Sequence, residues 1–364
     1  MTIPQTMAAM ILTGHGGMDK LVYHDDWPTP QPGDDDVLIK VAACGMNNTD
    51  VNTRSGWYSK GVSDATTGDA YDTANDDDPA WGGNPVSFPR IQGADVCGTV
   101  VAVGKNADQS LLNKRVITDN WLRDWNEPMN RNKTGYFGSE RDGGYAEYTT
   151  IDHRNVGVVE SSMTDVELAT FSCSYTTAEG MLARASVSSD DTVLVTGASG
   201  GVGSALIQLA RRRGAKVVAM ASENKHESLR SLGADALLPR SPLNLSDALQ
   251  SATGDSQVSV VADVVGGDIF PVLLDCLSRG GRYTCSGAIA GPIVPLDLRT
   301  LYLNDLTFTG STVIEPAIFQ DVISYIENRE IEPLVAATCS LADFHQGQKE
   351  FIEKKHVGNF VVTP

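Results

Sequence analysis

The segment Thr196-Gly197-Ala198-Ser199-Gly200-Gly201-Val202-Gly203 constrains this chain more than any other. An apolar run at 191–196, read as a buried strand, leads into it. Behind it, Val202, Leu206, Leu209 and Ala210 fall on one helical face, and Gly214 closes the helix. A second apolar run, 215–221, follows on schedule. Glycines at such a turn let a ligand approach the backbone, and the helix behind aims its N–H groups and positive dipole end at that ligand. A glycine-rich turn alone is weak evidence. Set between a strand and a helix, with a second strand following, it reads as a site for the pyrophosphate of a dinucleotide. Ser199, Gly200, Gly201 and Val202 are then cofactor contacts.

Further strands are expected at 258–265 and 281–286, each followed by glycine. Alternating strands and helices predict α/β architecture with a doubly wound parallel sheet of the Rossmann type. Val265, Ser286, Gly287 and Ala288 join the candidate cofactor contacts at the ends of these strands. The end of the second strand selects the cofactor. An acidic residue there holds a ribose 2′-hydroxyl, whereas a cation suits a 2′-phosphate. Ser222 and Lys225 favour NADP; a slip of one residue would bring Glu223 into place and favour NAD.

Residues before about 160 have a different rhythm. Short apolar runs such as Val37-Leu38-Ile39-Lys40-Val41 are bounded by Gly, Pro and Asp, which predicts a barrel-like β domain. A length of 364 residues suits two such domains. Two stretches, 59–87 with Asp76-Asp77-Asp78 and 119–141 with Trp121, Trp125 and Tyr136, read as long loops, which are commonly functional. Their aromatics either line a pocket mouth or anchor the loop to its own domain. Helices are expected at 315–328 and 341–354, with a closing strand at 358–362.

The net charge of −18 disfavours nucleic acid and anionic membrane as partners and leaves a small-molecule substrate. No run of about eighteen apolar residues spans a membrane, and the N-terminus does not read as a signal peptide, so a cytoplasmic protein is expected. Six scattered cysteines without a Cys-x-x-Cys pair read as free, mostly buried thiols.

Gly45-Met46-Asn47-Asn48-Thr49-Asp50, Gly93-Ala94-Asp95-Val96-Cys97-Gly98, Gly143-Gly144-Tyr145-Ala146-Glu147-Tyr148, the glycine turn and Gly280-Gly281-Arg282-Tyr283 occur in an order that resembles the medium-chain dehydrogenase/reductase superfamily, within it the zinc-free quinone oxidoreductase-like branch. The resemblance implies a GroES-like, mostly β catalytic domain at 1–160 and 313–364, interrupted by a Rossmann domain at 161–312. It also implies a homodimer or homotetramer; 306–312 resembles the edge strand through which family dimers pair. Many members hold catalytic zinc, which needs about three protein ligands and an open position. Their first ligand falls here at Asn47, with Cys44 three residues too early. The histidine falls at Ala94 and the last cysteine at Cys173, beside an acidic neighbour at Asp95. With thiolate and imidazole replaced, no catalytic zinc is expected. Residues 105–140 contain no cysteine, which excludes the four-cysteine structural zinc lobe.

Without a Lewis acid, hydride transfer to an activated double bond is easier than alcohol oxidation, because the conjugated carbonyl already delocalises charge. The resemblance therefore implies an NADPH-dependent reductase of quinones, enones or enoyl thioesters, independent of zinc. Tyr58 is its candidate proton or hydrogen-bond donor, and Asn47 and Thr49 orient the carbonyl or nicotinamide ribose. Thr177 and the backbone near Ser311 hold the carboxamide. Plainer roles stay open: a pocket wall for Tyr58, a turn cap for Asn47, loop fixation for Asp50 and an inert thiol for Cys173. Two other functions compete, a metal-dependent alcohol dehydrogenase using Asp95 and Cys173, and an NADPH-binding protein with little catalysis. One departure from the family lies at His356-Val357-Gly358-Asn359, where Asn359 replaces the usual lysine.

Overall fold

The six strands Thr192–Val195, Lys216–Ala221, Ala236–Pro239, Val258–Asp263, Leu277–Cys285 and Thr307–Gly310 form one sheet in which every pair is parallel. The structure is a computed structural model that describes residues 2–71, Ala74 and 85–364. The spatial order of these strands is third, second, first, fourth, fifth, sixth, the doubly wound Rossmann order. Their side chains explain why both faces are covered. Val193, Val195, Val217, Ala219, Val260 and Ala262 join one apolar core, and Leu194, Val218, Met220, Val258 and Val261 join another. Successive residues of a strand point to opposite faces, so an uninterrupted apolar strand needs a packed layer on each side. The expected strands are present within a few residues of their predicted ends. Leu277–Cys285 starts before its expected beginning at 281 and carries a register shift where it leaves Val258.

The second architecture is the GroES-like β domain. A seven-stranded sheet runs Val156–Val158, Arg115–Thr118, Asp95–Val103, Asp36–Met46, Asn359–Thr363, Val335–Ser340, and Tyr148–Asp152 also pairs with Asp36–Met46. A three-stranded sheet of Leu21–Pro28, Thr6–Leu12 and Arg90–Ile91 completes it. The last thirty residues thus return to the sheet begun by the first part of the chain. Val335–Ser340 was not anticipated. It pairs in parallel with Asn359–Thr363, and the helix Phe344–Ile352 connects them. That helix starts later than its expected beginning at 341, because the strand and a turn pinned by Ser340 Oγ to Asp343 come first. The other C-terminal helix, Pro316–Glu327, lies where it is expected.

The long-loop reading of 119–141 is corrected. Trp121–Arg123 and Thr134–Tyr136 pair antiparallel as a hairpin. Trp121 packs against Tyr136 with ring centroids 5.1 Å apart, and Trp125 Nε1 donates to Asn155 Oδ1 at 3.2 Å. Trp121 and Trp125 anchor the segment to its own domain, whereas the Tyr136 hydroxyl reaches Cys173. Asp76-Asp77-Asp78 lie outside the described residues. The described part of 59–87 is tied down on several sides. Thr66 Oγ1 donates to Asn52 Oδ1 at 3.1 Å, and Thr66 N–H donates to Ile289 O of the cofactor domain at 2.9 Å. Among the described residues no helix is long and apolar enough to cross a membrane.

Candidate active site

The glycine turn needs its glycines for different reasons. Gly197 has φ +55°, a left-handed conformation. A Cβ on Gly203 would lie 2.3 Å from Gly197 O and 2.6 Å from Ala198 Cα, so the helix Gly201–Arg212 packs directly on the turn. A Cβ on Gly200 would meet nothing closer than 3.6 Å, which leaves that face open to a ligand. This cradle fits a dinucleotide. It opens at the switch point between Thr192–Val195 and Val258–Asp263, where ligands of such sheets bind. Asp263, fully buried, fixes the floor of the crevice. It accepts from Thr196 Oγ1, from Tyr283 OH at 2.6 Å, from Val265 N–H at 2.8 Å and from Gly266 N–H. Ser199, Gly200, Gly201, Val202, Val265, Ser286, Gly287, Ala288 and Thr177 are all partly exposed, among neighbours that are mostly buried. Ser311 is buried, and its hydroxyl lies toward Gly180 of the helix Ser172–Arg184.

Ser222 and Glu223 are exposed at the end of the second strand. Lys225 is buried instead, and its Nζ donates to Ser199 Oγ at 3.2 Å and to the carbonyls of Lys354 at 2.8 Å and His356 at 2.7 Å. A residue missed in the sequence is Arg240. Ala221 pairs with Pro239, so Ser222 and Arg240 leave the sheet side by side. The signal was available as a cation just past the third strand, but only the register places it.

On the catalytic side, the strand Asp36–Met46 runs into the helix Asn48–Ser55 through Asn47. Asp50 reaches back to accept from Asn47 N–H at 2.8 Å, an N-terminal cap. Asp50 also accepts from Tyr145 OH at 2.6 Å. Burial raises its carboxyl to about 6 despite these donors. Asn47 turns its amide inward, and Nδ2 donates to Asp95 Oδ2 at 3.0 Å. The other Asp95 oxygen accepts from Asn120 Nδ2 at 3.1 Å and from Cys173 N–H at 2.7 Å. Burial pushes Asp95 up to about 7, partly offset by those hydrogen bonds. Tyr136 OH donates to Cys173 Sγ at 3.3 Å. Burial raises the Cys173 thiol and the Tyr136 phenol, so both are neutral near pH 7. Asn120 was not foreseen, and no local pattern marks it; Tyr136 is one of the aromatics expected either to line a pocket or to anchor the loop, and the hairpin brings it against Cys173.

These residues do not fit catalytic zinc. Asn47 and Ala94 stand where soft ligands would be, and three N–H donors already engage the Asp95 carboxylate. No group of three or more His, Cys, Asp or Glu side chains suited to a metal occurs among the described residues. Tyr58 OH donates to Thr49 Oγ1 at 3.3 Å, and both side chains are partly exposed. Thr177 lies one helical turn beyond Cys173, and these two are partly exposed on an otherwise mostly buried helix.

A dinucleotide cradle joined to a GroES-like domain that carries the partly exposed hydroxyls of Thr49 and Tyr58 fits a nicotinamide-dependent oxidoreductase, and the comparisons agree. Residues 33–161 match the alcohol dehydrogenase GroES-like domain family, and 201–328 match the zinc-binding dehydrogenase family. An inferred alcohol dehydrogenase from Sinorhizobium meliloti 1021 superposes with a TM-score of 0.90 at 46% identity, covering 100% of this chain and 98% of that one. The acryloyl-coenzyme A reductase of Sulfurisphaera tokodaii is 26% identical, over 98% of this chain and 100% of its own length. The chloroplastic NADPH-dependent alkenal/one oxidoreductase of Arabidopsis thaliana is 27% identical, over 92% of this chain and 73% of its own length. The chain belongs to the medium-chain dehydrogenase/reductase superfamily and is an NAD(P)H-dependent enzyme acting on a small molecule.

Proposed function

We propose that this enzyme uses NADPH to reduce an activated carbon–carbon double bond or quinone, without a metal. The observation that carries the reading is Asn47, at the first metal-ligand position, which spends its amide on the buried Asp95 carboxylate that Asn120 also engages. A bound reduced nicotinamide supplies hydride. The chain's own groups then have two tasks, holding the conjugated carbonyl and delivering a proton. Tyr58 and Thr49, already hydrogen-bonded to each other, are the donors facing the cleft. Asn47 acts through the start of the helix Asn48–Ser55, keeping Thr49 in register, and Thr177 with the Ser311 backbone faces the nicotinamide. The relatives named for acryloyl-coenzyme A and for alkenals support this class.

NADP is favoured over NAD by Ser222 and Arg240 at adjacent strand ends. Glu223 is the opposing signal. The GroES-like part is taken as 1–160 and 313–364 and the cofactor part as 161–312, assembled as a homodimer or homotetramer.

The test is steady-state turnover of chelator-treated enzyme with a simple enone, a benzoquinone and an enoyl thioester, set against ketones and primary alcohols. Turnover of at least one of the first three with NADPH, unaffected by chelation, is expected. Alcohol oxidation that needs added zinc would overturn the reading. The 46% identity to an inferred alcohol dehydrogenase favours that second reading, and the same assay decides between them.

A further inference from the structure

A C-terminal segment crosses the glycine turn. Gly358 N–H donates to Ser199 O at 2.9 Å, and Ser174 Oγ donates to Asn359 Oδ1 at 3.1 Å. Lys225 meets this segment from the cofactor domain and spends its ammonium on Ser199 Oγ and the carbonyls of Lys354 and His356. Lys354 has φ +54° and lays its Nζ 3.5 Å from the Phe351 ring centroid. The same Nζ donates to Asn48 Oδ1 at 2.7 Å, in the first turn of the helix Asn48–Ser55. Three basic side chains, Lys225, Lys354 and the neutral His356, therefore gather where the two domains meet the glycine turn. None has a carboxylate: the lysine ion pairs among the described residues are those of Lys20, Lys105, Lys133 and Lys355. The buried Nδ1 of His356 has no hydrogen-bond partner in the described structure.

The crowding of like charges shows in the equilibria. Lys354 falls to about 7, by burial and then by the Lys225 charge. His356 falls to about 4, by burial and then by Lys354 and Lys225. Lys225 is lowered by burial and by Arg240 behind it. Glu353 and Lys355, the chain neighbours, pair with each other at 2.8 Å. A cluster of this kind is stabilised by an anion. Lys225 is fully engaged by its three acceptors. Asn48 takes one of the three N–H bonds of Lys354, so Lys354 retains donors.

We propose that Lys354 binds the pyrophosphate of the nicotinamide dinucleotide, reaching across from the catalytic domain to the phosphate seated on Ser199-Gly200-Gly201. The proposal rests on the cofactor lying along the glycine turn. It adds a cation from the opposite domain, so that cofactor charge draws the domains together. Lys225 and Arg240 lie toward the adenosine end, and Asn48 lies on the catalytic side, which separates Lys354 from the 2′-phosphate. Binding of the anion favours the charged ammonium. Affinity is therefore full below the free value near 7 and falls as pH rises above it, until the higher bound value is passed. Near pH 8 (about one unit above the free value), binding takes up a proton. His356 titrates well below this window.

The experiment is calorimetric titration of the full chain with NADPH and with NADH at about pH 8, in two buffers of different ionisation enthalpy. Wild type, Lys354→Gln and Lys354→Arg are compared, with folding checked by circular dichroism. Lys354→Gln should bind both cofactors about tenfold more weakly and lose most of the proton uptake. Lys354→Arg should recover affinity without proton uptake, because guanidinium does not titrate there. Affinity within about twofold of wild type and unchanged proton uptake in Lys354→Gln would overturn the proposal, as would a loss confined to NADPH. Failure of the NADP preference reads separately, as tighter NADH binding by the wild type, and leaves the Lys354 comparison intact.

Discussion

At the scale of residues, the pocket is governed by two carboxyls that burial makes reluctant to ionise. Asp95 stands at about 7 and Asp50 at about 6, both above the unfolded value of about 3.9. A carboxyl raised in the folded state binds its proton more tightly there. Its stabilisation is complete below about pH 4 and is lost as pH climbs through the folded value. Asp95→Asn should therefore gain stability relative to wild type as pH rises from about 4 to about 7, by on the order of a few kcal/mol. Urea unfolding of both proteins across that range checks it. A difference that stays flat with pH would mean Asp95 is ionised throughout.

Tyr58 carries a separate expectation. Removing its hydroxyl breaks the contact with Thr49 and removes a proton source. Tyr58→Phe should lower kcat by about tenfold to a hundredfold while leaving NADPH affinity unchanged. Unchanged turnover would take Tyr58 out of the proton path and leave it a pocket wall.

At the scale of elements, one side chain of the helix Asn48–Ser55 is buried whole against three other segments. Arg54 is 0% exposed. It donates to Gly16 O at 2.8 Å, Gly68 O at 2.9 Å and Gln348 Oε1 at 3.0 Å. Burial lowers it to about 10, still charged at neutral pH. Arg54→Met would leave these acceptors unpaired and cost about 2–4 kcal/mol, read by chemical denaturation. A cost under about 0.5 kcal/mol would mean the loop is held by other contacts. The glycine turn and the parallel strands were legible in the sequence because their rules are local: a period, a turn residue, a helix start. Arg54, Asn120 and the contact of Tyr136 with Cys173 were not, because the partners lie up to 294 positions away and no spacing encodes them. Trp121 shows the same limit. Its loop was legible as unusual, yet only the pairing with Tyr136 makes it a hairpin with a buried anchor.

At the scale of the molecule, two domains share one large apolar core, while the far face of the cofactor sheet packs a second. Beyond that sheet's edge strand Thr307–Gly310, Leu298, Tyr302 and Leu303 are exposed, and Ile293 with them at 74%. An apolar surface beside an edge strand with no further neighbour among the described residues suits a second copy of the chain. If the proposed assembly pairs through this surface, Tyr302→Glu combined with Leu303→Lys should lower the sedimenting mass toward that of a monomer; a wild type already monomeric at micromolar concentration would contradict the assembly.

Where the hydride lands separates double-bond reduction from carbonyl reduction. Chelated enzyme should be given NADPH deuterated at the transferable nicotinamide position together with a simple enone, and the product read by NMR. The expected product is the saturated ketone with deuterium on the β-carbon and a solvent proton on the α-carbon. Deuterium on the carbonyl carbon, giving an allylic alcohol, would contradict it and return the chain to alcohol dehydrogenase chemistry.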